Sequence, residues 1–455
     1  MTEPACEMDV GADGLAPELS HVDGLPFLGA LLPIRRNALG FFSRMLREHG
    51  DRVQFRVLGR KVILLCHPDD FEAVLVRDRD SFGRSSEIRR LRPIFGNGLL
   101  ASDGAFWRRQ RNIVQPSFQH SSLAGYASIM LKCISRQISD WRIGEVRDIH
   151  ADMMLYTRET ICSVLFGSEF AANHLKIADA VSVVFGDLRA EILYLPIWRR
   201  LPFAPSIRWN RAVKRLNHSI RTIIGARRNC SEAGNDLLGS LLNARDSDGC
   251  SMSDEQLHDE ILTFFLAGHE TAALSLTWAA YLLATHPEIQ KLAAEEVFKV
   301  TGGGDIQVEH YPFLHFLAAV TKEALRLYPP VWSLGRVATK DSALGSLPIA
   351  KGTDVWLCLH RLHRDPRWYP EPEQFYPERW LGNEAQRRFT YAPFGIGPRV
   401  CIGQHFAVAE TVLGLASMLR QFSFSPTSSI PAEVNAWISL RPKKSIELRL
   451  QQRIR

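Results

Sequence analysis

The sequence has few of the features that mark secreted, zinc-binding or nucleic-acid-binding proteins. Its eight cysteines form no CxxC pair and have no regular spacing, which excludes a zinc ribbon and a disulfide framework and favours a reducing, cytoplasmic location. A formal charge of +6 over 455 residues is too small to indicate nucleic acid as a partner. The hydrophobic content of 46% is sufficient for a sizeable core, so we expect a globular protein.

The N-terminal region lacks the signals of secretion or membrane anchoring. Residues 1–21 have neither the basic start nor the apolar stretch of a signal peptide. The apolar segment 25–34 is about half as long as a membrane span and contains prolines. We therefore expect no transmembrane anchor and a flexible segment over residues 1–22. Because no internal repeat, low-complexity tract or long linker divides residues 23–455, we predict a single domain there, and a monomer.

The apolar patterning predicts a mainly α fold with minor β structure. Two short strands flank Leu58-Gly59-Arg60 as a hairpin. Apolar residues repeat at helical intervals in the segments 121–141, 150–165, 207–227 and 287–300. The longest predicted helix begins at a capping box formed by Ser253 and Gln256 and ends near Thr285. At about 1.5 Å per residue it measures roughly 45 Å, enough to cross a domain.

One cysteine differs from the others in its neighbours. Cys401 follows a glycine-rich loop and precedes an apolar helix predicted from about Gly403. Helical N–H groups and the nearby Arg399 would stabilise a thiolate, the form of cysteine that binds metals. A lone buried cysteine is usually an inert apolar side chain, and we expect this for the other cysteines.

The residues around Cys401 resemble a known signature. The run from Phe394 to Gly403 has the pattern Phe-x-x-Gly-x-Arg-x-Cys-x-Gly, which is similar to the haem-binding signature of the cytochrome P450 family. The resemblance implies that Cys401 is the axial thiolate ligand of haem b, that Phe394 packs beside it, and that Arg399 binds a haem propionate. A thiolate ligand favours O–O cleavage, so the implied activity is oxygen activation.

The middle of the long helix carries an acid and an alcohol among apolar residues, in the run Ala267-Gly268-His269-Glu270-Thr271. A buried threonine can bond the carbonyl one turn back, and glycine permits close approach, so the run could open a niche for O₂. A polar helix face bridged by water is the alternative. The run resembles the family's oxygen-activation motif, which implies proton delivery by Glu270 and Thr271 and places Ala267 and Gly268 against the haem.

Ala272 stands where the family often has a second hydroxyl, which leaves details of the water network open. The resemblance also implies that the haem lies between the long helix and the helix that follows Cys401.

Three further residues resemble positions that bind the haem propionates. Trp107 and Arg111, four residues apart on one helical face, are similar to the family's Trp-x-x-x-Arg motif. Arg336 is similar to another propionate-binding position. Arginine suits this task because its planar fork matches a carboxylate.

Glu323 and Arg326 lie on the amphipathic stretch 311–327, three residues apart, and alone this spacing is typical of a solvated surface pair. The run 375–380 resembles the family's second structural motif. That resemblance implies that Arg379 joins Glu323 and Arg326 in a buried network. We expect this triad to be structural.

By analogy with the family, residues from the long helix, the segment after Arg326 and the C-terminal region should line the substrate cavity. The candidates are Phe264, Phe265, Val331, Trp332, Ser333, Leu334, Trp437 and Ile438. They predict an apolar cavity and a hydrophobic substrate, such as a fatty acid, terpenoid, steroid-like or polyketide molecule, although each alone could be ordinary core. The segment 193–228 could form an entrance lid, a membrane-touching surface or an exposed basic helix.

The electrons are expected from a separate protein. About fifty residues follow Cys401, too few for a flavin or ferredoxin module. We therefore expect a ferredoxin or flavodoxin with an NAD(P)H-dependent reductase as partner. Three alternatives stay open: a peroxide-driven oxygenase, a non-catalytic haem-thiolate sensor or carrier, and a purely helical interaction protein without a cofactor.

Overall fold

The structure, a computed structural model, describes residues 19–167, 204–229, 234, 236–382 and 387–453. Most of the predicted flexible segment 1–22 and the first part of the predicted lid, residues 193–203, lie outside the described residues. The α-helices of the described part are α1 (Leu31–His49), α2 (Pro68–Glu72), α3 (Ser86–Arg90), α4 (Arg92–Phe95), α5 (Gly104–Val114), α6 (His120–Ile138), α7 (Ile149–Phe166), α8 (Ala204–Arg228), α9 (Leu237–Asn243), α10 (Asp254–Thr285), α11 (Pro287–Thr301), α12 (His315–Leu327), α13 (Leu359–Leu362) and α14 (Gln404–Gln421).

The strands of the described part are short: β1 (Ser20–His21), β2 (Arg52–Val57), β3 (Arg60–Leu65), β4 (Phe82–Arg84), β5 (Val146–Asp148), β6 (Leu334–Ala338), β7 (Ser342–Leu344), β8 (Leu347–Ile349), β9 (Asp354–Leu357), β10 (Phe422–Pro426), β11 (Val434–Ala436), β12 (Leu440–Pro442) and β13 (Glu447–Gln452). Six of them form one sheet of the order β1-β2-β3-β9-β6-β4. The prediction of a mainly α fold with minor β structure is confirmed, as is the antiparallel β2–β3 hairpin.

Helix α10 runs through the larger of two hydrophobic clusters, and its middle is almost entirely buried. It begins as predicted, because Ser253 and Gln256 form a reciprocal capping box. Helix α14 crosses it closely: a Cβ added to Gly414 would lie 2.9 Å from Leu276 of α10. Helix α7 lies against another face of α10, where the Thr157 hydroxyl donates to the carbonyl of His269 at 2.9 Å.

The second hydrophobic cluster lies between α1 and the six-stranded sheet. Tyr328 and Val434 pack against both clusters, so the helical and sheet cores are in contact. The antiparallel pairing of β4 with β6 sets Arg84 directly opposite Arg336. This register brings together two arginines that are far apart in sequence.

One predicted helix is shorter than the pattern suggests. The amphipathic stretch from residue 311 divides into a 3₁₀ segment, Val308–Phe313, and helix α12. Pro312 lies inside the 3₁₀ segment and supplies no N–H group. The carboxylate of Glu296 then accepts the N–H groups of Phe316 and Leu317 at 2.7 and 3.0 Å, and so caps the new start of α12.

Strands β11 and β12 form a small antiparallel hairpin near the C-terminus, with Ala436 opposite Leu440. Residues 437–439 form its turn. Within the described residues, no helix combines the length and apolar character that a bilayer crossing requires.

Candidate active site

The loop before Cys401 is closed by backbone contacts that require glycine. Gly395 and Gly397 have φ of +71° and +73°, a region that glycine adopts without strain. A Cβ on Gly397 would lie 2.4 Å from the carbonyl oxygen of Leu75, so the loop lies directly on that backbone. The N–H of Cys401 donates to the carbonyl of Phe394 at 2.9 Å. The loop therefore holds Cys401 at a defined place just before α14.

The thiol of Cys401 is placed to bind a metal. The residue has open surface, yet it lies deep enough for burial to raise the pKa of the thiol above its ordinary value. The N–H of Gly403 and the charge of Arg111 act in the opposite direction. Because the net effect favours the neutral thiol, a bound cation would stabilise the thiolate.

Among the described residues, no three His, Cys, Asp or Glu side chains converge in a metal-binding group. A haem iron takes most of its ligands from its own macrocycle, so one cysteine of the protein is enough to bind it. A haem iron fits this donor set.

Arginines gather beside the cysteine loop around Asp103. The Arg399 guanidinium bonds Asp103 at 2.8 Å and the Ser102 carbonyl at 3.1 Å. Burial lowers the pKa of Arg336 to about 10 and also lowers the pKa of Arg84 and Arg399. The buried Nε of Arg84 has no hydrogen-bond partner among the described residues. This excess of positive charge fits the carboxylates of a haem.

Helix α5 supplies the other side of this arginine group. Trp107 lies under the Arg399 guanidinium at 4.2 Å from ring centre to Cζ, and Arg111 donates to the carbonyl of Val400 at 2.9 Å. A cavity of about 580 Å³ is lined by Trp107, Arg111, Arg336 and Arg399 together. The four predicted propionate residues therefore meet at one place, although they come from three parts of the chain.

Three residues of this region were missed at the level of sequence: Arg84, Asp103 and Phe118. The Phe118 ring meets the ring of Phe264 edge to face at 5.2 Å and lies 4.0 Å from where a Cβ on Gly403 would stand. It therefore connects the cysteine loop to the central helix. Asp103 directly precedes α5, a position typical of helix N-caps, but no spacing rule could have identified Arg84 or Phe118.

One face of α10 is open in the middle of the helix, where most of the neighbouring residues are buried. Ala267 is exposed and Gly268 and Thr271 are half-buried. The Thr271 hydroxyl donates to the Ala267 carbonyl at 2.7 Å, the bond one turn back that the sequence predicted. A Cβ on Gly268 would lie 3.3 Å from Ile161 of α7.

Glu270 points away from that open face and is engaged elsewhere. Its carboxylate accepts hydrogen bonds from the Ser439 hydroxyl at 2.5 Å and from Nε of Arg441. Both partners belong to the C-terminal hairpin. The role of Glu270 in proton delivery stays a prediction.

The predicted substrate residues divide into two groups. Phe265 is 1% exposed and stacks on His269, and Trp332 is 7% exposed and contacts Phe42. Neither side chain offers open surface to a ligand, because each completes a packed core. Phe264 is buried against Phe118. The residues that keep open surface are Val331, Ser333, Leu334, Trp437 and Ile438.

The buried ionic triad is formed completely. Arg326 makes a two-pronged bond to the Glu323 carboxylate, at 2.8 Å for each nitrogen, and also donates to three backbone carbonyls of the coil 363–374. Arg379 donates to Glu323 at 3.0 Å, and Trp380 donates to the second carboxylate oxygen at 2.8 Å. Every charge is paired, so the network fixes the coil against α12.

Fold and site together define a protein that holds a haem through a cysteine thiolate. The sequence matches the family described as Cytochrome P450 over residues 20–450. It is 36% identical to cyclooctatin synthase of Streptomyces melanosporofaciens over 89% of each chain. It is 31% identical to cyclooctat-9-en-7-ol 5-monooxygenase of the same organism over 88% of each chain. It is 30% identical to pentalenene oxygenase of Streptomyces avermitilis over 94% of this chain and 96% of that one.

The chain belongs to the cytochrome P450 family, in which a cysteine binds the haem iron. It is accordingly an oxidoreductase and a monooxygenase.

Proposed function

We propose that the protein inserts one oxygen atom of O₂ into an unsaturated, hydrophobic substrate of the terpenoid class. The open face at Ala267, Gly268 and Thr271, in the middle of a buried helix, carries this proposal, because it gives O₂ a place beside a hydroxyl. Two relatives favour the substrate class. Cyclooctat-9-en-7-ol is by its name an unsaturated alcohol, and pentalenene is by its name an alkene.

In this proposal Cys401 binds the iron of haem b, and Trp107, Arg111, Arg336 and Arg399 hold the propionates. Arg84 joins them, because its buried Nε lacks a hydrogen-bond partner in the part of the chain that the structure describes and its register with Arg336 brings it to the same place. Phe394 closes the cysteine loop through its carbonyl, and Gly403 lies at the end of the loop beside the Phe118 ring. The bound haem supplies oxygen binding and O–O cleavage.

Thr271 takes part in proton delivery as a hydrogen-bond acceptor at the open face. Its hydroxyl hydrogen is directed at the Ala267 carbonyl, so its oxygen is available to accept a hydrogen bond at the open face. Glu270 lies one residue before it on α10, and we assign to it the supply of protons to Thr271, although its carboxylate is bonded to Ser439 and Arg441. The apolar rings of Phe118 and Phe264 pack together between α10 and the cysteine loop, where they would limit the access of water.

The proposed electron donor is an acidic ferredoxin or flavodoxin reduced by an NAD(P)H-dependent reductase. Arg108 is 63% exposed and lines the cavity that also contains Arg399, and its ion pair with the exposed Asp80 is long, at 3.9 Å. Arg109, by contrast, is engaged by Asp246 at 2.6 Å. We therefore assign the docking charge beside the cysteine loop to Arg108.

The six cysteines of the described part are free thiols, which fits a reducing compartment. Action as a monomer is part of the proposal.

The experiment is a screen of unsaturated terpenoid hydrocarbons and alcohols, with fatty acids and steroids as comparison classes. Binding is detected as a spin-state change of the ferric protein, and turnover is then measured with a ferredoxin system under ¹⁸O₂. The proposal predicts the largest spectral shift with a terpenoid and one labelled oxygen in its product. A response to fatty acids alone would refute the substrate class. Equal turnover with peroxide alone would favour the peroxide-driven alternative.

A further inference from the structure

The carboxylate of Glu270 connects the central helix to the C-terminal hairpin. It accepts bonds from Ser439 in the hairpin turn and from Arg441 in β12, residues about 170 positions away in the chain. The Arg441 Nε also contacts the Ser439 hydroxyl at 3.2 Å. The two hairpin residues therefore converge on one acid, which directly precedes Thr271.

Backbone contacts anchor the same hairpin at further points. Trp278, two turns after Glu270 on α10, donates its ring N–H to the carbonyl of Leu440 at 2.9 Å. The N–H of Leu440 donates to the carbonyl of Pro330 at 2.9 Å. The ring N–H of Trp332 donates to the carbonyl of Trp437 at 3.0 Å. The hairpin turn is thus fixed to α10 and to the segment after α12.

The turn carries two of the cavity candidates that keep open surface. Trp437 is half-buried and Ile438 is 37% exposed. The segment bonded to the turn carries others, Val331 and Ser333. A displacement of the turn would therefore move side chains from both segments.

Burial makes the Glu270 contact the strong anchor of this arrangement. The Glu270 side chain is 5% exposed, so loss of its partners would leave a carboxylate buried without compensation. The hairpin has a second ion pair, between Glu433 and Lys443 at 2.7 Å, but these side chains are 61% and 59% exposed. An ion pair so open to solvent contributes little to the stability of the hairpin.

We infer that Ser439 and Arg441 are positioning residues for substrate specificity, and that Glu270 fixes through them the hairpin turn that carries Trp437 and Ile438. The inference rests on the proposed function, since it assigns the turn to the substrate cavity. It gives Glu270 a task besides any part in proton delivery. The position of the turn, and with it the shape of the substrate cavity, then depends on the residue that directly precedes Thr271 on α10.

The test compares Arg441→Gln, Ser439→Ala and Arg441→Lys with Glu433→Gln in the haem-loaded protein. Glu433→Gln is the matched control, because it breaks an ion pair in the same hairpin at an exposed site. Two quantities are measured: the Kd of the best spin-shifting compound, and the hydrogen–deuterium exchange of residues 434–442. Arg441→Gln should raise the Kd about tenfold and speed the exchange, as loss of a bond to a buried charge does. Ser439→Ala should show the same effects, smaller in size.

Arg441→Lys should keep the Kd and the exchange close to their wild-type values, because lysine also pairs with Glu270. Glu433→Gln should match the wild type in both. Wild-type Kd and exchange in Arg441→Gln would overturn the inference. A raised Kd with unchanged exchange would overturn it as well, because Arg441 would then contact the substrate itself. If no compound shifts the wild-type spectrum, the proposed function fails, while the exchange comparison still decides whether Glu270 holds the hairpin.

Discussion

Replacement of Glu410 by glutamine tests how the helix after Cys401 tolerates a buried acid. Glu410 lies on α14 and is 1% exposed. Neither carboxyl oxygen has a hydrogen-bond partner of ordinary geometry among the described residues, since the nearby Thr160 hydroxyl, which opposes the effect of burial, donates to the carbonyl of Tyr156. Burial raises the pKa of Glu410 from 4.5 to about 8. The folded protein therefore binds this proton more tightly than the unfolded chain does.

The sign follows from the proton count. Below about pH 4.5 the carboxyl is protonated in both states, and its stabilising contribution is fully present. As the pH rises the unfolded chain ionises first, so the contribution declines and is lost once the pH passes about 8. The whole change amounts to roughly 5 kcal/mol, since each pKa unit corresponds to about 1.4 kcal/mol.

Glu410→Gln mimics the protonated form and does not titrate. We expect its free energy of unfolding to match the wild type near pH 5 and to exceed it increasingly toward pH 8.5. The assay is urea unfolding followed by tryptophan fluorescence at half-unit pH steps, with the exposed Glu295→Gln as control. If the difference in free energy of unfolding between Glu410→Gln and the wild type stays constant with pH, Glu410 is not a neutral acid in the folded protein.

Three further predictions concern the site and its support. Thr271→Ala should lower product formed per electron at least about tenfold while leaving the substrate Kd unchanged, and full coupling would remove Thr271 from proton delivery. Glu323→Gln leaves the buried charges of Arg326 and Arg379 without a carboxylate partner, and should lower the free energy of unfolding in urea by about 3–5 kcal/mol. A decrease smaller than that of a Glu→Gln change at an exposed site would contradict the buried network. Gly397→Ala should lower haem content, measured by absorbance per protein, because its Cβ would meet a backbone carbonyl at 2.4 Å. Gly345→Ala, which has similar φ but open space, is the control, and equal haem content in both variants would disprove the close approach.

Local signals predicted much of the fold. The capping box of Ser253 and Gln256 located the start of α10, because both bonds are formed within one turn. The β2–β3 hairpin followed from a short turn between alternating apolar residues. The start of α12 could not be predicted, because its cap comes from Glu296 on a neighbouring helix.

In the candidate site, too, local patterns could be predicted from the sequence and contacts between distant parts of the chain could not. The residues of the cysteine loop and of α10 are continuous in sequence, so their pattern identifies them. Arg84 joins the arginine group through the pairing of two distant strands, and spacing contains no information about such a register. The partners of Glu270 lie about 170 residues away, and only the folded chain shows that this acid is held by a hairpin.

The most direct test of haem-thiolate chemistry at Cys401 is the carbon monoxide difference spectrum of the reduced protein and of Cys401→Ser. A haem bound through the Cys401 sulfur predicts a thiolate-type spectrum for the wild type and its complete loss in the variant. A thiolate-type spectrum that persists in Cys401→Ser would contradict the assignment of the ligand and of the activity built on it.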